Sequence, residues 1–176
     1  MSAVLTLALA GNPNAGKTSI FNALTGARQH VGNWPGKTVA TMAGTFRHAD
    51  VVGRLVDLPG TYSLSALSPE EVITRDYLLS GDADAVIDVV DATNLERNLY
   101  LTTQLLELGI PLVVALNVSD SARAKGMRID TDRLGVLLGH APVVETVGHR
   151  GRGLDRLLEA AIELVGPGFA QLRLVA

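Results

Sequence analysis

Short apolar runs alternate along the chain with longer segments in which apolar residues recur every three or four positions. A run such as 110–116, apolar throughout, is typical of a strand covered on both faces, whereas the spacing of Ile20, Phe21 and Leu24 indicates one face of a helix. This alternation predicts an α/β fold with an open, mostly parallel sheet of six to seven strands and helices on both faces. The predicted strands are 4–10, 38–46, 51–57, 83–90, 110–116 and 142–145, and the predicted helices are 16–25, 68–79, 95–108, 130–138 and 153–165.

The composition narrows the class of protein. The 176 residues are 47% hydrophobic, contain no cysteine and carry a formal net charge of −3. A mildly acidic chain argues against nucleic acid as a partner, since nucleic-acid-binding modules present a basic face. The longest apolar stretch, 110–116, is far shorter than the roughly 20 residues of a membrane-spanning helix, so we expect a soluble domain. We place this domain at 1–166 and regard 167–176 as a C-terminal remainder.

A phosphate-binding loop is predicted between the first strand and the first helix. The residues from Gly11 to Thr18, GNPNAGKT, match the pattern GxxxxGK[ST] in the strand–loop–helix context that the pattern requires. Glycines let the backbone N–H groups surround a phosphate, Lys17 reaches the β- and γ-phosphates, and the Thr18 hydroxyl binds Mg²⁺. A glycine-rich turn with an incidental lysine is the alternative. The predicted phosphate-binding residues are Asn12, Asn14, Ala15, Gly16, Lys17, Thr18 and Ser19.

Two further loops follow predicted strands. Asp57, in the sequence DLPG, can hold Mg²⁺ through water, and the N–H of Gly60 can contact a γ-phosphate; an ordinary turn is the alternative. In the sequence NVSD, the Asp120 carboxylate can accept hydrogen bonds from the N1–H and N2–H₂ edge of guanine, a donor pair that adenine lacks, and Asn117 would hold the loop and touch the base. A helix cap at Ser119 or Asp120 is the alternative for this second loop.

The order of the three motifs is that of the translation-factor-type GTPases, and longer segments resemble one family more closely. The sequences GNPNAGKTSIFNALTG, HVGNWPGKTVA and DLPGTYSLSALSPEEVITRDYL resemble the G domain of the FeoB family of bacterial ferrous-iron transporters, over residues 5–164. The resemblance implies the three-layer fold of a Ras-like P-loop GTPase, GTP and GDP as ligands, and a position at the cytoplasmic face of the bacterial inner membrane. It also implies the transporter's helical and membrane domains as partners, which we expect to be absent from this chain.

The resemblance also implies roles for particular residues. Asn14 corresponds to the asparagine that helps to coordinate K⁺ in potassium-stimulated members, and Thr38 to the switch I threonine that joins Mg²⁺ in the GTP state. Switch I would span 28–40 and switch II 57–76. The loop after the last strand would contact the guanine O6. The residues implied in catalysis are Lys17, Asn14, Gly60 and Thr38; those implied in guanine binding are Asn117, Val118, Asp120, Thr146, Val147 and Gly148; and the metal ligands are Thr18, Thr38 and Asp57 for Mg²⁺ and Asn14 for K⁺.

The sequence departs from the family pattern in three places, one of which covers two residues. Val118 stands where many GTPases have lysine, and Lys37 stands where relatives usually have an apolar residue. Val147-Gly148 replaces the usual Ser-Ala, which we expect to alter nucleotide affinity and release and to leave the preference for guanine unchanged.

The predicted reaction is the hydrolysis of GTP to GDP and phosphate. Thr61 and Tyr62 follow Gly60, where Ras-like enzymes place a glutamine that orients water, so we expect slow turnover, in the range of ~10⁻⁴ to 10⁻² s⁻¹. Nucleotide-dependent motion of the two switches would gate Fe²⁺ passage. A free-standing GTPase of the ribosome-assembly type and a P-loop kinase remain as alternatives, and an oligomeric state is not predicted.

Overall fold

The computed structural model describes residues 4–26 and 29–166 and contains a seven-stranded sheet in the order β2-β3-β4-β1-β5-β6-β7. The pairs β1·β4, β1·β5, β5·β6 and β6·β7 are parallel, whereas β2·β3 and β3·β4 are antiparallel. The strands are β1 Leu5–Gly11, β2 Gln29–Asn33, β3 Ala40–His48, β4 Val51–Asp57, β5 Ala85–Asp91, β6 Leu112–Asn117 and β7 Val143–Glu145. The helices are α1 Lys17–Thr25, α2 Pro69–Leu79, α3 Leu95–Glu107, α4 Ser119–Ala124, α5 Thr131–Leu137 and α6 Leu154–Val165.

Helices cover both faces of the sheet, as the apolar strands predict. Successive side chains of a strand point to opposite faces, so Leu7 and Leu9 of β1 join a buried cluster with α1 and α6, which contribute Phe21 and Leu157. Ala8 and Ala10 of β1 point to the opposite face and join the other cluster, together with residues of α2 and α3. The expected three-layer α/β architecture is therefore confirmed, and the carboxyl ends of β1, β4, β5 and β6 lie at one edge of the sheet.

Two elements were not predicted from the sequence. The edge strand β2 has four exposed residues out of five and no alternating pattern, and it exists because its backbone pairs with β3 in the register Gln29↔Gly44. Helix α4 begins directly after Val118, whose φ is +54°, and is too short to show a helical period in the sequence. Arg28, the first residue of the predicted switch I, and the remainder 167–176 lie outside the described residues.

Within 4–26 and 29–166, no helix combines the length and the apolar character that crossing a bilayer requires.

Candidate functional site

The loop between β1 and α1 forms one wall of a cavity of about 430 Å³. Its conformation depends on left-handed backbone at Asn14 (φ +65°) and Gly16 (φ +97°), and Gly16 then caps the amino terminus of α1. A helix amino terminus with free N–H groups favours an anion, so the loop is suited to a phosphate. The cavity is lined by Asn12, Pro13, Asn14, Gly16, Lys17, Thr18, Ser19 and Gly60.

Lys17, which lines this cavity, forms an ion pair with Asp57. The Lys17 ammonium lies 2.9 Å from Oδ1 of Asp57, and their side chains are only 10% and 8% exposed. Burial raises the pKa of the Asp57 carboxyl above its usual value, and the charge of Lys17 opposes that rise. The structure thus joins the cation of the β1–α1 loop to the acid at the end of β4, although 40 positions separate them in the sequence.

Asn12 carries a buried amide that no other described group satisfies. The residue is 4% exposed, and neither Oδ1 nor Nδ2 of its side chain has a hydrogen-bond partner among the described residues. A buried amide without partners costs free energy, on the order of 1–3 kcal/mol per unsatisfied group. Water or a ligand that restores these hydrogen bonds would therefore stabilise the loop.

Asn117 links three loops at the same edge of the sheet. Its Nδ2 donates to the carbonyl of Ala15 at 2.9 Å, and its Oδ1 accepts from the Thr146 hydroxyl at 3.2 Å and from the Gly148 N–H at 3.0 Å. The side chain approaches the β1–α1 loop so closely that a Cβ at Gly16 would overlap Nδ2 of Asn117. The sequence prediction that Asn117 holds the loop is thus consistent with the geometry, and contact with a base stays a prediction.

A second cavity, of about 330 Å³, adjoins Asn117 and Val118. It shares Asn14, Gly16 and Ser19 with the first cavity, so the two form adjacent parts of one site. After the ligand parts predicted for them, the first is called the phosphate-side cavity and the second the base-side cavity. Its lining is made of Asn14, Ala15, Gly16, Ser19, Asp91, Thr93, Asn117, Val118, Ser121, Lys125 and His149.

Asp120 is close to this second cavity but does not line it. Its side chain is 24% exposed, Oδ1 accepts the N–H of Ser121 at 2.9 Å, and Oδ2 lies 3.8 Å from Nη1 of Arg150. The helix cap at Ser119 or Asp120 that was the alternative is not formed: the N-cap residue of α4 is Val118, which makes no side-chain cap hydrogen bond, and Asp120 lies in the first turn. A carboxylate in the first turn remains available to a ligand, so the helix start and base recognition are compatible.

The loop after β7 turns its predicted base-contacting residues inward. Thr146 donates its N–H to the carbonyl of Leu116 at 2.9 Å, and the N–H of Val147 donates to the carbonyl of Arg152 at 3.0 Å. A Cβ on Gly148 would lie 2.8 Å from Cγ1 of Ile20, so an alanine at this position requires a shift in packing. The lining of the second cavity does not include Thr146, Val147 or Gly148, and the contact of these residues with guanine stays a prediction.

The two predicted switch segments differ in their position relative to the phosphate-side cavity. Thr38 is exposed and does not line the phosphate-side cavity, whereas Trp34 packs on Tyr77 of α2 with ring centroids 5.3 Å apart. In the second segment, the N–H of Thr61 donates to the carbonyl of Gly11 at 3.2 Å, next to Gly60 in the cavity lining. The structure therefore brings the start of switch II to the site and leaves the Thr38 hydroxyl apart from it.

Among the described residues, no cluster of three or more His, Cys, Asp or Glu side chains is arranged to hold a metal ion. The carboxylate of Asp57 and the hydroxyl of Thr18 are hard oxygen donors beside the phosphate-side cavity. Mg²⁺ in phosphate-binding sites commonly uses one or two protein oxygens together with phosphates and water. The donor set consequently fits Mg²⁺ bound together with a phosphate ligand.

Several residues of the second cavity were not predicted from the sequence. His149 and Lys125 line it from the loop after β7 and the end of α4, and Asp91 and Thr93 line it after β5. The basic residues His149 and Arg150, directly after Gly148, were the available signal for this part of the cavity. The sequence does not indicate, however, which way their loop turns.

The fold and this site define the class: a P-loop GTPase of the α/β type. Residues 5–161 match the family model described as ferrous iron transport protein B, and the chain belongs to this family. It is 59% identical over 157 residues to the Fe(2+) transporter FeoB of Salmonella typhimurium and 57% identical to that of Escherichia coli K12, covering 87% of this chain and 20% of each relative. The chain thus spans about a fifth of the length of these relatives.

Solved structures agree with this assignment. The G domain of the T. maritima FeoB iron transporter is 47% identical, with a TM-score of 0.85, and the match covers 92% of this chain and 99% of that one. The cytosolic domain of the same transporter in its GMPPNP form is 48% identical, with a TM-score of 0.89 and coverage of 92% and 64%. A GDP-bound point mutant of the S. thermophilus FeoB G domain is 52% identical, with a TM-score of 0.85 and coverage of 90% and 60%.

Proposed function

We propose that this domain binds GTP and GDP, hydrolyses GTP slowly and, through nucleotide-dependent switch motions, regulates the passage of Fe²⁺ through the transporter to which it belongs. The observation that carries the proposal is the set of three hydrogen bonds made by the Asn117 side chain. They connect the loops beside the phosphate-side and base-side cavities, so that the two cavities form one site. Guanine nucleotides bound to related G domains support the same ligand class.

Phosphate binding is assigned to the β1–α1 loop. Lys17 is held at the cavity by Asp57 and is positioned to exchange this partner for the β- and γ-phosphate oxygens. The N–H groups at the start of α1 add partial positive charge, and Asn14, Ala15 and Ser19 complete the cradle. Catalysis would consist chiefly of positioning and charge stabilisation, as in other phosphoryl transfers.

Mg²⁺ is the proposed cofactor, with Thr18, Asp57 and Thr38 as its protein ligands. When bound, it would neutralise charge on the β- and γ-phosphate oxygens. Because Thr38 is exposed and apart from the cavity, its participation requires switch I to move towards the site. The exposed Asn14 lines both cavities and is the proposed protein ligand for a stimulating K⁺ ion.

Slow hydrolysis follows from the residues after Gly60. The Thr61 hydroxyl donates to the carbonyl of Ser63 at 2.8 Å, and Thr61 is only 3% exposed. A buried hydroxyl already engaged in this way does not orient an attacking water, so we expect an unassisted rate of ~10⁻⁴ to 10⁻² s⁻¹. Such a rate suits a timer whose switches rearrange when the γ-phosphate leaves.

The proposed partners are the helical and membrane domains of the same transporter, with this domain at the cytoplasmic face of the inner membrane. The relatives it matches are Fe(2+) transporters of about five times its length. The family match does not favour the alternative of a free-standing ribosome-assembly GTPase, and the net charge of −3 also argues against an RNA partner.

Isothermal calorimetry with GDP, GTP and ATP tests the proposal. We expect saturable heat with both guanine nucleotides in the presence of Mg²⁺ and at least a hundredfold weaker response to ATP, because adenine offers no donor pair to Asp120. The variant Lys17→Ala should lose most of the GTP affinity. Absence of heat with guanine nucleotides at millimolar concentration, or equal affinity for ATP, would contradict the proposal.

A further inference from the structure

The carboxylate predicted to recognise guanine is already engaged in the ligand-free protein. Oδ1 of Asp120 accepts the N–H of Ser121 at 2.9 Å, and Oδ2 faces the guanidinium of Arg150 at 3.8 Å. Asp120 does not line the base-side cavity that its neighbours Val118 and Ser121 line. The described contacts of the Asp120 carboxylate are therefore with Ser121 and Arg150, and contact with a base is what the proposed function assigns to it.

Arg150 is held beside this cavity by a second contact. Its Nε donates to Nε2 of His149 at 3.2 Å, and His149 lines the base-side cavity. The backbone N–H of Arg150 donates to the carbonyl of Val147 at 2.9 Å, which fixes the turn that carries both side chains. The guanidinium thus lies between a cavity-lining imidazole and the Asp120 carboxylate, although the Arg150 side chain is 60% exposed.

A guanidinium and the edge of guanine offer a carboxylate the same chemistry. Guanine presents N1–H and N2–H₂ on either side of C2, and arginine presents N–H groups on either side of Cζ, so both can donate a parallel pair of hydrogen bonds. In the structure Nη1 of Arg150 lies 3.8 Å from Oδ2, an ion pair without a hydrogen bond, so the guanidinium occupies the charge and the space beside Oδ2 that the base would use. The base must move the guanidinium away, or share Oδ2 with it, when it binds.

We infer that Arg150 competes with the guanine base for Asp120 and thereby lowers the affinity of the domain for guanine nucleotides. This inference rests on the proposed function, because it assigns Arg150 to the base-binding part of the same site. Arg150 is a determinant of affinity at that site; Val118, which replaces the lysine of many GTPases, supplies no charge of its own to Asp120. The cost to the base is the free energy of an exposed ion pair, so the effect on binding is about two- to fivefold.

The test compares the affinity for GDP among four proteins at one ionic strength. Arg150→Gln removes the charge and the paired donors, and should bind GDP about two- to fivefold more tightly than the wild type. Arg150→Lys keeps a charge without the paired donors, so its affinity for GDP should lie between those of the wild type and Arg150→Gln. Arg152→Gln removes an equal charge two positions away; the described contacts of Arg152 are backbone contacts with Val147, so its affinity should match the wild type.

The direction of the change separates this inference from a structural role, since loss of a merely structural residue does not tighten binding. Equal or weaker GDP binding by Arg150→Gln, in a protein whose wild type binds GDP, overturns the inference and leaves the proposed function standing. An equal gain in Arg152→Gln also overturns it, because the effect would then come from net charge alone. A wild type that does not bind GDP overturns both.

Discussion

Asp88 of β5 accepts a hydrogen bond from the hydroxyl of Thr102 of α3, with 2.5 Å between the two oxygens, and both residues are almost completely buried. Desolvation raises the pKa of Asp88 to about 7, and the Thr102 hydrogen bond opposes this rise. The pair joins strand β5 to α3 in the interior of the protein. It places in the core a carboxyl group that titrates near neutral pH.

This pair predicts a pH-dependent stability. Between the ordinary carboxyl pKa and about 7, the folded protein retains a proton that the unfolded chain has released, so stability falls as the pH rises through this window and then levels off. Asp88→Asn should abolish this slope and raise the free energy of unfolding at pH 8 by a few kcal/mol. Urea unfolding at pH 5, 6, 7 and 8 measures the effect, with the exposed Asp50→Asn as the control. An unchanged slope in Asp88→Asn would show that other groups cause the pH dependence.

Base selectivity is expected to change when Asp120 becomes an amide. The variant Asp120→Asn exchanges an acceptor for a donor, so it should lose about tenfold or more in GTP affinity and gain affinity for xanthosine triphosphate, whose C2 carbonyl accepts a hydrogen bond. Competition binding with a fluorescent guanine nucleotide measures both changes. If the order of preference stays the same, Asp120 does not recognise the base.

Potassium dependence is expected to require the side chain of Asn14. GTP hydrolysis should be faster in KCl than in NaCl at equal ionic strength, and Asn14→Ala should reduce the rate in KCl to that in NaCl. Asn14 has a φ of +65°, which strains alanine, so Asn14→Gly provides a matched variant that removes the amide and relieves that strain. Phosphate release gives the rate. Equal wild-type rates in the two salts would exclude potassium stimulation.

Movement of switch I should be visible in the fluorescence of Trp34, the only tryptophan in the chain. Trp34 packs on Tyr77 at 5.3 Å and against the apolar cluster that includes Leu58. If Thr38 moves to the metal in the triphosphate state, it should draw Trp34 out of this packing and shift its emission to longer wavelength.

The measurement compares Mg²⁺ with GMPPNP against Mg²⁺ with GDP, using the same protein and nucleotide concentrations. GDP should leave the emission near that of the free protein, and Thr38→Ala should abolish the shift with GMPPNP. An emission spectrum that GMPPNP does not change would show that Trp34 stays packed on Tyr77 in both nucleotide states.

Local sequence patterns determined most of the fold. The apolar run 110–116 predicts strand β6, and the amphipathic segment 153–165 predicts helix α6, each without reference to the rest of the chain. A strand buried on both faces is apolar at every position, whereas a helix buried on one face has apolar residues every three or four positions. The edge strand β2 was not predictable in this way. Its residues are mainly exposed, and only hydrogen bonds to β3 select the extended conformation.

The sequence by itself determined the candidate groups for the site: the glycine-rich loop with Lys17, the acid Asp57 and the amide and acid of NVSD, because the motifs are defined by residue types at fixed spacing. Only the tertiary structure decided their relationships. It placed Asn117 against Ala15, turned Val147 inward and brought Arg150 to Asp120. The physical reason is that the long-range contacts of Asn117 and Asp120 join residues 29 to 102 positions apart, and their geometry is set by the packing of the sheet and helices rather than by any local pattern.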